Sequence, residues 1–389
     1  MVKTGLELIA KKCPDNLKNK NVGLLCHPPS INARYVHASD IIREVDGMTL
    51  KCFFGPQHGI RGETQANMVQ WRGFNDPKHN LPVYSLYGEH RKPMFSMLHD
   101  IDCFIIDICD IGARYYTYIW TMEYCLEACE SFDKSIVVLD RPNPINAHDI
   151  EGTVVNEAFY SFVGLRKLPI RHGMTVGEIA QYLRGEYHPK LDLTIIPMEG
   201  YKRDMYFEDT DLPWVMPSPN MPTVDTAIVY PGMCLLEGTN LSEGRGTTRP
   251  FELFGAPFID PGKLCSELNN LKLPGILFRP AFFQPTFDKF KGQLCGGAQL
   301  HVLDRPAFKP FMTGVAIIKT VMDMYPGSFE WSEGPYEYET EKKPIDILFG
   351  TDKIRILLEE GVPVIKIEEW YNKDLNEFNN IRKKYLLYT

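Results

Sequence analysis

The sequence predicts an α/β protein in which a doubly wound, mostly parallel sheet is followed by a smaller C-terminal α+β domain. In the first part of the chain, short apolar runs of strand length alternate with periodic segments of helical length. The runs are almost continuous in Val, Ile, Leu and Phe, which is typical of parallel strands covered on both faces. After about residue 260 the chain becomes richer in aromatic residues and proline. We therefore expect two domains, residues 1–260 and 261–389.

The first domain is predicted to contain strands and helices in alternation, as βαβ units require. Before them, Met1–Lys12 has the apolar and basic pattern of an amphipathic helix. The predicted strands are Val22–Cys26, Leu50–Phe54, Pro82–Leu86, Asp102–Asp107, Ser135–Leu139 and Leu193–Pro197. The predicted helices are Val36–Glu44, Pro93–Leu98, Thr117–Glu130 and Met174–Arg184.

The second domain is predicted to begin with the helix Gly262–Leu271, which leads into strands between residues 275 and 303. The acidic run Glu333–Glu341 is expected to be a solvated loop. The remaining predicted helices are Thr313–Tyr325, Thr351–Glu360 and Leu375–Leu387.

The composition excludes several classes of protein. Of the 389 residues, 44% are apolar and 24% are charged, so the chain is too apolar and too weakly charged to be disordered. The formal net charge of −8 argues against a nucleic acid or an anionic membrane as partner. No apolar run approaches the ~18 residues that a membrane span needs.

The N-terminus and the cysteines bear on the compartment. The first residues lack the apolar core of a signal peptide, so the sequence as written predicts a cytoplasmic protein. The trimmed mature form of an exported protein would look the same. The 10 cysteines include no CxxC pair, so we expect reduced, buried thiols rather than a zinc or redox site. The sequence leaves the oligomeric state open.

Polar loops follow several of the predicted strands. The richest are residues 27–30, 55–63, 109–118 and 140–144, which carry His, Arg, Asp, Asn and Tyr side chains. The carboxyl ends of parallel strands meet at one edge of a sheet, where ligands bind at the reversal of strand order. Loops that only close a fold need Gly, Asn and Pro rather than so many ionisable groups. We therefore expect these loops to form one ligand-binding crevice.

A second polar region comprises Trp214–Pro222 and Glu237–Glu252. The latter stretch has three carboxylates, two arginines and three glycines with almost no apolar residues, so it cannot belong to the core. Linkers seldom hold paired Arg and Glu. Glycines around Thr-Asn-Leu-Ser are typical of a backbone that approaches a ligand closely. We expect this region to contribute to the same site.

No familiar cofactor motif is present. Residues 59–62 read Gly-Ile-Arg-Gly rather than GxGxxG, and no P-loop, HExxH or GxSxG motif occurs. Asp107, Asp110 and His58 are potential metal ligands, but their spacing is not diagnostic of a metal site. We therefore expect neither a cofactor nor a metal.

Five motifs resemble those of one known family. They are Gly55–Gly62, Asp110–Tyr118, Leu139–Pro144, Pro217–Pro222 and Glu237–Thr248. In this order they are similar to the YbbC family of NamZ-type exo-β-N-acetylmuramidases, and the similarity extends to the C-terminal helix. It implies a Rossmann-like domain, a smaller C-terminal domain and an active site in the cleft between them. It also implies a glycoside hydrolase of cell-wall recycling, which releases N-acetylmuramic acid from the non-reducing end of peptidoglycan fragments.

The chemistry of that small carbohydrate substrate suggests roles for the polar residues. Arg binds carboxylates such as the lactyl group of muramic acid bidentately. Cleavage of a glycosidic bond commonly needs one carboxyl that protonates the leaving oxygen and a second that acts as base or nucleophile. The candidate catalytic residues are Gln57, His58, Glu63, Asp110 and Glu243. The candidate substrate-binding residues are Arg61, Arg114, Tyr116, Tyr118, Arg141, Asn143, Asn220, Asn240, Arg245 and Arg249.

One position departs from the family pattern. The family motif usually reads Pro-Glu-His-Gly and its glutamate is taken to be catalytic, whereas this chain has Gln57. An amide cannot give or take a proton as a carboxyl does. Three interpretations stay open. Another acid, above all Glu63, takes over the role; the protein catalyses a reaction on another substrate, such as a sugar phosphate; or it binds the sugar without cleaving it.

Overall fold

The structure is a computed structural model that describes residues 1–65 and 68–389. The described residues form twelve strands and eleven α-helices. The strands are β1 (Lys20–Leu25), β2 (Met48–Gly55), β3 (Phe74–Asp76), β4 (Leu81–Ser85), β5 (Cys103–Ile106), β6 (Ser135–Leu139), β7 (Glu151–Val154), β8 (Pro169–Arg171), β9 (Leu193–Ile196), β10 (Leu253–Ala256), β11 (Ile276–Phe283) and β12 (Cys295–Val302). The helices are α1 (Gly5–Lys11), α2 (Ala38–Glu44), α3 (Phe95–Leu98), α4 (Tyr118–Ser131), α5 (Val176–Tyr187), α6 (Val224–Met233), α7 (Pro261–Asn270), α8 (Pro310–Met324), α9 (Pro344–Phe349), α10 (Lys353–Glu359) and α11 (Val364–Arg382).

The larger sheet contains seven strands in the order β3-β4-β2-β1-β5-β6-β9. Neighbouring strands are parallel except for β3 and β4, which pair antiparallel. The chain builds outward from β1 to one side and then crosses to β5 and builds outward to the other. The order therefore reverses between β1 and β5. This confirms the predicted doubly wound, mostly parallel sheet, and all six predicted strands are present.

The central strands are buried on both faces, which explains their apolar runs. All four residues of β5 are buried, as are four of the five residues of β6. Helix α1 begins at a capping box formed by Thr4 and Glu7. A Cβ atom at Gly5 would lie 2.5 Å from the carbonyl oxygen of Ile196, so only glycine lets α1 approach the sheet this closely.

The smaller sheet is antiparallel, with strand order β10-β12-β11. Its first strand, β10, lies before residue 260, and the division of the chain at that residue stays a prediction. Helices α6 and α8 pack closely at Gly232 and Gly314. A Cβ atom at Gly314 would lie only 2.3 Å from the carbonyl oxygen of Gly232. None of the helices in the described ranges combines the length and the apolarity needed to cross a membrane.

Two predictions for the C-terminal part were wrong. The last helix spans Val364–Arg382 rather than Leu375–Leu387, because the buried residues Ile367 and Tyr371 extend its apolar face towards the N-terminus. The run Glu333–Glu341 is a loop, but it is only partly solvated. Tyr336 and Glu337 are buried, at 8% and 4% exposure, and pack towards the larger sheet's loops.

Candidate active site

A cleft, called the central cleft below, lies between the loops of the larger sheet and the C-terminal half of the chain. The loop after β2 and the start of α4 form one wall. The segments around residues 218–251 and 336–337 form the other. The lining residues are Gln57, His58, Tyr115, Tyr116, Thr117, Tyr118, Val163, Ser218, Asn220, Met221, Tyr230, Glu237, Arg245, Phe251, Tyr336 and Glu337.

Gln57 is buried in this cleft and its amide is fully engaged. Its Oε1 accepts a hydrogen bond from Thr117 Oγ1 at 2.5 Å. Its Nε2 donates to Tyr87 OH at 3.1 Å and to Glu337 Oε1 at 3.2 Å. Tyr87 in turn donates to Glu337 Oε2 at 2.9 Å. The side chain at position 57 is therefore the partner of a carboxyl group that arrives from a residue far along the chain.

Glu337 supplies that carboxyl group from a tight turn. Glu337 and Tyr338 both have positive φ, at 43° and 70°, a conformation that costs energy in residues other than glycine. Burial raises the pKa of the Glu337 carboxyl to about 7, against the opposing hydrogen bonds from Tyr87 and Gln57. The charge of Glu237 also raises this pKa. A carboxyl with a pKa near neutrality can hold a proton at neutral pH and deliver it to a substrate.

Glu237 is the second carboxyl that lines the central cleft within the described ranges. It forms an ion pair with Arg245 Nη2 and accepts a hydrogen bond from Tyr336 OH at 2.7 Å. Arg245 Nε also contacts Glu243 Oε1 at 3.0 Å, and Lys289 Nζ contacts Glu243 Oε2 at 3.2 Å. Burial would raise the pKa of Glu243, but the charges of Lys289 and Arg245 outweigh it and lower the pKa. The two cations thus hold two carboxylates at the edge of the cleft.

His58 is neutral in this setting. Burial lowers its pKa to about 4, although its contact with the Thr64 carbonyl opposes the shift. The contact joins Nδ1 to the Thr64 oxygen at 2.7 Å. A carbonyl can only accept a hydrogen bond, so we assign the proton of the neutral ring to Nδ1. This assignment leaves Nε2 as a hydrogen-bond acceptor for a ligand.

Tyr116 presents an unsatisfied hydroxyl group to the cleft. Its oxygen is buried and has no hydrogen-bond partner among the described residues. The ring is held edge-to-face by Tyr118 at 4.8 Å and by Tyr230 at 5.8 Å between centroids. A buried polar atom without a partner is unusual and is often satisfied by water or by a ligand. We expect this hydroxyl to contact the bound substrate.

The sequence matches both halves of one family. The profile described as "Exo-beta-N-acetylmuramidase NamZ, N-terminal" matches residues 22–225, and "Exo-beta-N-acetylmuramidase NamZ, C-terminal" matches residues 228–388. The chain belongs to the NamZ family. The resemblance predicted from the five motifs is therefore confirmed.

Individual NamZ-family relatives cover the whole chain. This chain is 45% identical over 388 residues to the peptidoglycan β-N-acetylmuramidase NamZ of Bacillus subtilis (strain 168). The aligned region covers 100% of this chain and 91% of that protein. Two crystal structures of DUF1343 family proteins from Bacteroides fragilis NCTC 9343 match with TM-scores of 0.90 and 0.78, at 34% and 29% identity. Each match covers 100% of this chain and 99% of the other.

The structure brings together some of the residues that the NamZ-family motifs suggested. Two contacts of 3.4 Å hold Asn220 against Gln65. Gln65 Nε2 donates to Asn220 Oδ1, and Asn220 Nδ2 donates to the carbonyl oxygen of Gln65. The predicted site residues that line the central cleft are Gln57, His58, Tyr116, Tyr118, Asn220 and Arg245.

Three charged candidates lie on the surface and do not line the central cleft. Glu63 is exposed beside Gly59. Arg61 is exposed and packs over the ring of Phe74, 4.5 Å from its centroid. Arg249 is exposed and forms an ion pair of 3.1 Å with Glu252.

Other candidates brace the fold or line a different cleft. Asp110 and Arg141 line a second cleft, and Glu243 lies behind Arg245. No group of three or more metal-ligating side chains was found in the described ranges. Three side chains donate to backbone carbonyls: Arg114 to Thr153, Leu168 and Leu348, Asn143 to Met174, and Asn240 to Ser328.

Three residues of the site were missed as candidates. Glu237 stands at the start of the motif Glu237–Thr248, which also contains the candidate Glu243. Glu337 and Tyr87 lay outside the motifs. The one sequence signal for Glu337 is its position between two tyrosines, Tyr336 and Tyr338, in a run that otherwise looks solvated.

The two candidate arginines should differ sharply in their effect on stability. Arg245→Ala leaves the buried carboxylates of Glu237 and Glu243 short of a counter-charge, and we expect a loss of ~3–5 kcal/mol in the free energy of unfolding. Arg249→Ala removes a half-exposed guanidinium from Glu252, which is buried but keeps its hydrogen bond from Thr226 Oγ1, and we expect a loss of ~0–1 kcal/mol. Urea unfolding measures both. Equal losses would contradict the assignment of Arg245 to the buried cluster.

Proposed function

We propose that this protein is a glycoside hydrolase that removes N-acetylmuramic acid from the non-reducing end of peptidoglycan fragments. Membership of the NamZ family and the activity of the Bacillus subtilis relative support the reaction class. The observation that carries the proposal is the pair of carboxyl groups, Glu337 and Glu237, in one cleft with Tyr and Arg side chains. Glycoside hydrolysis commonly uses two such carboxyls in different protonation states.

Glu337 acts in this proposal as the general acid. Its raised pKa, about 7, allows it to carry the proton that the leaving glycosidic oxygen needs. Gln57 and Tyr87 each donate to one of its oxygens and fix its orientation. Gln57 is thus a positioning residue, and its amide is compatible with catalysis because the proton resides on Glu337.

Glu237 acts as the second carboxyl, either activating water or attacking the anomeric carbon. Arg245 supplies a counter-charge and Tyr336 fixes one of its oxygens. Arg245 also pairs with Glu243, so its charge is already neutralised by two carboxylates and is not free for the lactyl carboxylate. The free hydroxyl of Tyr116 is a donor available to that group.

A second candidate function is binding without cleavage, and Gln57 is the observation that favours it. The two functions are separated by hydrolysis of a disaccharide in which N-acetylmuramic acid is β-linked to N-acetylglucosamine. We expect the wild type to release both sugars, and Gln57→Glu to give no increase in rate. If the protein lacks a catalytic acid because position 57 is Gln, the wild type will bind the disaccharide without hydrolysing it. In that case Gln57→Glu will raise the rate by ~10²–10⁴-fold.

A further inference from the structure

Glu337 lies at the tip of a tight turn that comprises residues 336–339, called the acid turn below. The Tyr336 amide donates to the Glu339 oxygen at 2.9 Å, and the Glu339 amide donates to the Tyr336 oxygen at 2.9 Å. The two central residues, Glu337 and Tyr338, both have positive φ. Two-residue turns with this backbone favour Gly, Asn or Asp at the centre. Because neither residue is of that kind, contacts outside the turn are needed to stabilise its shape.

The two tyrosines beside Glu337 anchor the acid turn in different ways. Tyr336 is buried, and its hydroxyl donates to Glu237 at 2.7 Å. The amide of Glu337 donates to Met68 Sδ at 3.3 Å, and a thioether is a weak acceptor. Tyr338 is 40% exposed. Its ring packs against side chains from two other loops, so this ring attaches the far side of the turn.

Three side chains surround the ring of Tyr338, and this group is called the Tyr338 clamp. The ring packs edge-to-face on Tyr87 and on Phe162, with centroids 5.7 and 6.1 Å apart. The guanidinium carbon of Arg91 lies 4.1 Å from the centroid of Tyr338 and 5.4 Å from that of Phe162. A guanidinium over an aromatic face is attracted by the negative charge of that face.

The clamp lies one ring away from the carboxyl of Glu337. Tyr87 packs against Tyr338 through its ring, and its hydroxyl donates to Glu337 Oε2 at 2.9 Å. Tyr87 is itself fully buried and therefore fixed in position. Since Tyr338 follows Glu337 directly in the chain, a displacement of its ring would carry the carboxyl away from Tyr87 and Gln57.

We propose that Arg91 and Tyr338 are positioning residues that keep the carboxyl of Glu337 in the central cleft. Neither residue lines that cleft, so both act through Glu337 rather than by contact with the substrate. The effect of the clamp on hydrolysis rests on the proposed function, in which Glu337 is the general acid. The effect of the clamp on the acid turn does not depend on the reaction.

The first test is kinetic. Tyr338→Leu removes the aromatic face, and we expect kcat for the disaccharide to fall about tenfold, because fewer molecules hold Glu337 in place. We expect KM to change by less than about twofold, and the loss to be much smaller for a chromogenic N-acetylmuramide. Arg91→Met should lower kcat about threefold. Tyr338→Phe and Arg91→Lys retain the ring and the cation, and should stay close to the wild type.

Tyr35→Leu is the matched control for Tyr338→Leu. Tyr35 is also an exposed tyrosine with positive φ, at 69% exposure and 62°, and it does not line the central cleft. The control should keep the wild-type kcat with both substrates. A loss in Tyr35→Leu equal to the loss in Tyr338→Leu would overturn the inference.

The pH profile shows whether the clamp acts through Glu337. Burial raises the pKa of this carboxyl, and Tyr338→Leu should expose it to water and lower the pKa. The fall of kcat/KM at high pH should therefore move to lower pH in this variant. The other titratable or charged groups that act on Glu337, namely Tyr87, Glu237 and Arg245, are unchanged. A merely structural role for Tyr338 would lower kcat/KM without this shift.

Hydrogen exchange of residues 333–341 follows the acid turn without reference to catalysis. We expect protection to fall in Tyr338→Leu and Arg91→Met and to be retained in Tyr338→Phe. Wild-type protection in all variants would overturn the inference, as would an unchanged kcat in Tyr338→Leu when Glu337→Gln is impaired. In both cases the proposed function stands. Lower protection in Tyr338→Leu, with full activity in that variant and in Glu337→Gln, would confirm the clamp and contradict only the assignment of Glu337 as the acid.

Discussion

Glu337→Gln is expected to lower kcat for hydrolysis of the N-acetylmuramyl disaccharide by ~10²–10⁴-fold, while Kd changes by no more than about twofold. Glutamine keeps the shape of the side chain and one of the two oxygens that accept from Tyr87 and Gln57, but it cannot deliver a proton. A sugar is a poor leaving group and depends on that proton. A nitrophenyl aglycone leaves readily without it. The loss should therefore be much smaller for a chromogenic N-acetylmuramide.

The pH dependence gives an independent reading of the same carboxyl. Because the acid must be protonated, kcat/KM of the wild type should fall as the pH rises through about 7, the pKa of Glu337. The variant should lack this limb. Glu341→Gln, an exposed neighbour in the same loop, is the matched control and should retain the wild-type profile. Equal losses with both leaving groups would show that Glu337 does not protonate the leaving oxygen.

Glu337→Gln should be stabilised relative to the wild type at high pH, although the substitution removes native contacts. The folded-state pKa of Glu337, about 7, lies above its ordinary value of 4.5, so the folded state holds the proton more tightly. Wild-type stability from this group is therefore lost as the pH rises from about 4.5 to about 7. Glu337→Gln has no such loss. Its Tm relative to the wild type should be higher at pH 8 than at pH 5.

The larger sheet could be predicted because its elements carry local signals. Strand β5 is a run of four buried apolar residues, and the capping box before α1 marks a helix start. Helix α6 was not predicted, because it is apolar on nearly all sides and contains Pro231, so its sequence shows no amphipathic period. The predicted start of helix α11 lies too far towards the C-terminus, because the charged residues at the end of the helix are more conspicuous than the spaced apolar residues before them.

The candidate site could be predicted only as a collection of loops. Its central contact joins Gln57 to Glu337 across 280 positions, and no local pattern reports a pairing of that range. Sequence also cannot distinguish an arginine that awaits an anion from one already satisfied within the fold. Each guanidinium nitrogen of Arg141 donates to Asp107 or Ile31, and both terminal nitrogens of Arg114 donate to backbone carbonyls. The single predicted crevice is divided in two by Tyr118 and Pro217.

Glu237→Gln is expected to lower kcat by ~10²–10⁴-fold for the disaccharide and for the chromogenic substrate alike. A base or nucleophile acts on the anomeric carbon whatever the leaving group, so this equality separates its role from that of Glu337. Glu243→Gln is the informative comparison, because Glu243 shares Arg245 with Glu237 but does not line the central cleft.

If Glu237 acted only by holding Arg245 in place, the two variants would show similar losses in kcat and similar losses of stability. We expect them to diverge. Glu243→Gln leaves Lys289 with the carbonyl oxygens of Leu236 and Leu241 but without its carboxylate counter-charge, and should cost more stability than activity, as followed by Tm and by kcat. Glu237→Gln retains one acceptor oxygen, for either the Tyr336 hydroxyl or Arg245, and Arg245 keeps its pairing with Glu243, so the change should cost more activity than stability. Parallel losses in both variants would place the second carboxyl of the reaction elsewhere than at Glu237.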